Sequence, residues 1–167
     1  MMSGIRFNFT LLRVVSMVIL LFAFIGAAVP VSASSPGSVC FDVVAGLGGL
    51  PGTWSSSGLV SSSGTATFNP FVAGWDSKLG MPATVHDRFM VVDGYGSITF
   101  NANGHSALVV NENGDTVPGF LANWVIISGT GAYANLQGQG GGYAWIDWAN
   151  GEFLAFQCGQ AHYDPQE

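Results

Sequence analysis

Beyond residue 33, apolar and polar residues alternate with a period of two through most of the chain, and helical periodicity is hard to find. In Ser97-Ile98-Thr99-Phe100-Asn101, Ile98 and Phe100 share one face. From Tyr143 to Trp148 the faces divide into Tyr143, Trp145 and Asp147 against Ala144, Ile146 and Trp148. These runs predict strands over residues 39–45, 52–68 (two strands or one bent one), 84–92, 97–101, 106–110, 120–128, 132–137, 143–148 and 152–160. Turn chemistry lies between them at Asn101-Ala102-Asn103-Gly104, at Asn111-Glu112-Asn113-Gly114-Asp115, and at Asn150-Gly151, a dipeptide whose two positions tolerate positive φ. Eight or so antiparallel strands joined by short turns predict an all-β barrel or sandwich. The segment 69–82 has no alternation and reads as a loop, either a binding loop or lid, or a plain surface excursion.

The first residues follow a different pattern. Arg6 and Arg13 precede an apolar run from Val14 to Val29 that Ser16 interrupts. Pro30 then stops any helix, and Val31-Ser32-Ala33 has the small residues of a cleavage site. Residues 1–33 are therefore expected to be a cleaved signal peptide, and residues 34–167 a single exported β domain. The run is shorter than the ~20 residues a spanning helix needs, so no membrane attachment is expected after cleavage. Removing the leader leaves two cations, Lys78 and Arg88, against ten carboxylates, a net charge of −8. So acidic a chain repels phosphate backbones and anionic lipid, which argues against nucleic-acid binding.

Cys40 and Cys158 stand near the two ends of the exported part. An oxidising compartment favours a disulfide between them, and their spacing suits neither a redox motif nor a metal site. The bridge would place the first and last strands side by side, as closing a barrel requires. It would close a loop worth about 5 kcal/mol in the chain-entropy model.

The stretch Trp124-Val125-Ile126-Ile127-Ser128 leads into Gly129-Thr130-Gly131-Ala132-Tyr133, and a further short segment ends in Gly138-Gln139-Gly140. Together with Gly96-Ser97-Ile98-Thr99-Phe100, this pattern resembles the allene oxide cyclase and dirigent barrel group over about a third of the chain. The resemblance implies an antiparallel eight-stranded barrel with an apolar interior, often assembled as dimers or trimers. Some members of that group cyclise unsaturated fatty-acid epoxides, and others orient phenolic radicals during coupling. The cyclase's catalytic carboxylate and the dirigent pocket residues find no matching positions here, so the resemblance carries a fold and no activity.

Candidate chemistry concentrates at His86-Asp87-Arg88, the densest ionisable cluster in a chain that is 8% charged. Alternation puts His86 and Arg88 on one face and Asp87 on the other, with Phe89 and Val91 placed by the same rule. If the Phe89 side of the strand faces inward, Asp87 enters the barrel and its pKa rises enough for general acid or base work. If the opposite side does, His86 and Arg88 line the pocket and could hold an anionic or phenolic ligand. If the strand lies at an edge or rim, all three charges face water. His105 follows a turn glycine and reads as a rim residue. Trp75 and Trp148 are candidates for stacking on a ligand or sugar. The histidines show no metal-ligand spacing, and no metal or cofactor is expected. Three functions fit: a secreted barrel that binds a small apolar or phenolic molecule, an isomerase or cyclase acting inside the barrel, and a carbohydrate-binding or cell-surface module. The sequence contains no catalytic set that would decide whether the protein is an enzyme.

Overall fold

The structure, a computed structural model, describes residues 35–47 and 50–165. The signal peptide expected over residues 1–33 lies outside the described residues. Nine strands follow one another: β1 (Gly37–Gly46), β2 (Gly52–Gly58), β3 (Ser63–Thr67), β4 (Pro70–Ala73), β5 (Thr84–Val92), β6 (Gly96–Val110), β7 (Thr116–Gly131), β8 (Leu136–Asp147) and β9 (Glu152–Tyr163). All pairings between them are antiparallel. The sheet runs β3-β2-β1-β9-β8-β7-β6-β5-β4, and a further pairing of β3 with β5 closes eight strands into a ring. β4 stays outside the ring. It continues the register of β3 along β5, with only Phe68 and Asn69 between them.

Alternation determines what fills the ring. Val39, Phe41 and Val43 of β1 point inward, as do Phe89 and Val91 of β5, Ile98 and Phe100 of β6, and Trp124 and Ile126 of β7, and all are buried. Five ring contacts link Trp54, Phe41, Phe100, Phe89, Phe68 and Phe153 in an aromatic series, with centroid separations from 4.5 to 6.2 Å. Each such pair adds ~0.5–1.5 kcal/mol beyond the area it buries. In β7, Ile127 is an extra residue between Phe100–Ile126 and Thr99–Ser128. This bulge reverses the parity of the strand beyond it and sharpens its bend.

The first and last strands pair as expected. β1 pairs with β9 over ten registered positions, and Cys40 lies directly opposite Cys158. Their disulfide projects from the outer face, because the inward positions beside Cys40 belong to Val39 and Phe41. It is compatible with an extracellular or periplasmic location.

Four expectations need correction. Residues 97–110 are one strand and not two, because Asn101-Ala102-Asn103-Gly104 continues the alternation: Gly104 is buried and Asn103 exposed, and neither Asn nor Gly has positive φ. Residues 132–135 form a turn in place of a strand, closed by Tyr133 N–H to Thr130 O at 3.0 Å and Ala134 N–H to Gly131 O at 3.2 Å. The glycine-rich stretch 138–142 is not a break; it is the middle of the long strand β8. Its glycines answer to close approach: a Cβ on Gly140 would stand 2.6 Å from Trp124 Cζ2 and 2.2 Å from Cys158 O. The supposed loop 69–82 likewise contains strand β4, whereas the 52–68 stretch, read as two strands or one bent one, is the two strands β2 and β3.

Candidate functional site

The two ends of the ring differ. At one end the Gly129–Leu136 turn folds Tyr133 and Leu136 into the core, where both are buried. Tyr133 donates its hydroxyl to Asp93 Oδ2 at 2.5 Å, and Ser62 Oγ donates to the same oxygen. The amides of Tyr95 and Gly96 donate to Asp93 Oδ1 at 2.7 and 3.0 Å. Desolvation works against the ionised Asp93, but these four donors outweigh it and hold its pKa below the usual value. Burial, reinforced by the bond to Asp93, pushes the Tyr133 hydroxyl up to about 12. This end is plugged and tied.

The other end is open. There a chamber of about 160 Å³ is lined by Phe68, Phe120, Phe153, Val85, Ile146 and Val72, among other apolar groups, with Asp87 as the one charged side chain. β7, β8, β9 and β5 each contribute inward residues, and Pro70, Val72 and Pro82 of the 69–82 segment form one wall. That segment is held by Asp76, which accepts from Ser106 Oγ at 2.8 Å and from the Lys78 and Leu79 amides. The Ser106 bond, the strongest of these influences, keeps the Asp76 carboxyl below its usual pKa. Beyond the ring the β6–β7 hairpin continues as an arm, with residues 107–110 paired only to 116–119 and with Leu108 and Val110 exposed.

A smaller space of about 30 Å³ continues inward from the chamber, sharing Phe68, Val85, Asp87, Phe120 and Phe153 with it. Its inner lining includes Val43, Phe89, Ala122, Ala144, Ala155 and Gln157. Gln157 is the buried polar side chain of the described core, 5% exposed, and its Oε1 has no hydrogen-bond partner among the described residues. Opposite it, a Cβ on Gly142 would stand 2.0 Å from Phe156 O and 2.8 Å from the Gln157 oxygen, so the close approach of the two strands requires glycine there. Trp124 Nε1 is the other enclosed side-chain atom without a partner among the described residues.

Phe89 faces inward, so Asp87 does too, on the alternation that the sequence shows. Burial raises its pKa from 3.8 to about 6, against the lowering effect of the Asn69 amide, which donates to Oδ1 at 3.0 Å. Its neighbours take the other face. His86 and Arg88 border a shallow polar hollow on the outside with Asn101 and Asn103, and His86 Nδ1 lies 2.6 Å from Asn103 Oδ1. Asp87 borders this hollow as well as the chamber, so the three members of the cluster meet at the hollow, while only Asp87 also lines the chamber. His105 is exposed on the outer face of β6, Trp75 is 66% exposed after β4, and Trp148 is 74% exposed in the β8–β9 turn. All three lie toward the open end, and none lines the chamber. Among the described residues no group of three or more His, Cys, Asp or Glu side chains could hold a metal ion. Gln157 went unread in the sequence, although a signal was present: it interrupts an apolar inward series with Phe153 and Ala155 in β9.

Compared with family models, with curated proteins and with solved structures, the chain matches none.

Proposed function

We propose that the ring is a β-barrel of the general kind the allene oxide cyclase and dirigent proteins use, and that its open end holds a small, mainly apolar molecule. The observation that supports this most is the chamber itself: about 160 Å³ of space walled by aromatic and aliphatic side chains in the interior of the ring, with a single carboxyl group. Apolar cavities of ~150 Å³ bind molecules the size of benzene, and a few placed polar groups on an apolar wall are the usual make-up of a ligand site. The test is calorimetric titration with benzene of the wild type and of Val85→Trp, whose indole would fill the chamber. Saturable binding lost in Val85→Trp supports the reading. Equal heats from both proteins, or none from the wild type, refute it.

Asp87 favours a second reading, an isomerase or cyclase in the same chamber. A carboxyl group with a pKa of about 6 in an apolar site can give or take a proton near neutrality. In that reading Asp87→Asn abolishes turnover of a bound substrate and leaves benzene binding intact. The surface reading rests on Trp75 and Trp148, and it predicts retention on polysaccharide that either alanine variant removes.

A further inference from the structure

The chamber has a floor that an apolar ligand alone would leave unsatisfied. Gln157 lies at its inner end, nine-tenths or more buried, with a carboxamide oxygen that has no hydrogen bond among the described residues. An unpaired buried amide oxygen is destabilising, and strands with inward Ala122, Ala144 and Ala155 could have accommodated an aliphatic residue there. The inner space of about 30 Å³ has room for one oxygen-sized group, for which ~10–15 Å³ is the minimum. The outer chamber has room for about one ring.

Taking the chamber as a binding site, we propose that its ligand is a neutral apolar molecule of about one ring's bulk that carries a hydroxyl group, and that Gln157 recognises this hydroxyl. A hydroxyl both donates and accepts, so it meets the carboxamide in either orientation of the amide. A carboxylate would be buried among alanines and phenylalanines with Asp87 on the same wall, a like charge in a site that has no cation. An ammonium would pair with Asp87 nearer the mouth, but at Gln157 it would meet a single dipole in place of a counter-ion.

The probes are cyclohexanol and methylcyclohexane, alike in shape and differing in the hydroxyl. Gln157→Met removes the carboxamide and keeps the length. The ratio of the two affinities should shift about tenfold in favour of methylcyclohexane on going from wild type to Gln157→Met. A ratio unchanged within about twofold overturns the proposal. Should the variant fold poorly, the wild type suffices: the Gln157 side-chain amide resonances must move with cyclohexanol and hold still with methylcyclohexane. Equal movement with both, or with neither while both bind, also overturns it. Tighter binding of cyclohexylamine than of cyclohexanol would overturn the neutral class and assign recognition to Asp87. If no probe binds, the chamber reading itself fails, an outcome separate from failure of Gln157 to discriminate.

Discussion

Asp87 and Asp93 are two carboxyl groups of one fold whose surroundings move them in opposite directions. Asp93 accepts four hydrogen bonds at the plugged end, and they stabilise its ionised form. Asp87 faces apolar walls at the open end, and burial favours its protonated form. The consequences for stability have opposite signs. The folded pKa of Asp87 is above its unfolded value, so its contribution is complete below about pH 4 and is lost as pH rises through about 6. Between pH 4 and pH 7 the wild type should lose on the order of 2 kcal/mol relative to Asp87→Asn, allowing for partial solvent access, as urea unfolding of both proteins would measure. The contribution of Asp93 is present above its unfolded pKa and disappears as pH falls. Tyr133→Phe should cost about 1–2 kcal/mol at pH 7 and less once pH falls through the lowered pKa of Asp93, since a protonated Asp93 accepts more weakly. A cost independent of pH would separate Tyr133 from the Asp93 charge. The alternation around Phe89 makes the inward aim of Asp87 legible in the sequence, given one inward neighbour. The distance from Gln157 to any other group is not legible there, because inward residues of β8 and β9 meet only through register.

At the scale of the elements, glycine and asparagine misdirect the sequence reading in a consistent way. In β6 the Asn101–Gly104 run looks like a turn, yet it is a strand with polar residues outside and small ones inside. In β8 the glycines 138, 140 and 142 look like a break, yet they are where neighbouring strands and the Trp124 indole come too near for a side chain. Space, not turn geometry, selects glycine at these positions, and a single sequence does not distinguish the two causes. Gly140→Ala should therefore lower stability by ~2 kcal/mol or more, seen as a fall in Tm, because the new Cβ meets the Cys158 carbonyl as well as Trp124. Where the chemistry of a turn is local, the reading succeeds: Asn111 accepts from the amides of Asn113 and Asp115, and Gly114 and Gly151 take positive φ. The ring's weakest seam is β3–β5, held by three registered pairs, from Thr65–Val92 to Thr67–Met90. Hydrogen exchange should find the β3 amides of this seam exchanging faster than those of the ten-position β1–β9 ladder.

Over the whole molecule, the disulfide and the aromatic series hold the same object together from outside and inside. Cys40–Cys158 spans 118 residues of sequence at a ladder that is already complete in its hydrogen bonding. Its removal should act mainly on the unfolded chain, lowering stability by about 4–5 kcal/mol while the ring persists, which denaturation of a Cys40→Ala, Cys158→Ala protein would show. The aromatic series runs from Trp54 to Phe153 and ends at the chamber, so the core and the proposed site are one continuous structure with no added layer between them. One end is plugged by Tyr133 and one end is open, and that asymmetry is what would confine a ligand to the open end. Methyl-resolved NMR of the wild type with benzene tests it most directly. Saturable shifts and intermolecular contacts are expected at Val72, Val85 and Ile146. Silence at these methyls, or shifts confined to the exposed Leu108, Val110 and Leu121, would contradict it.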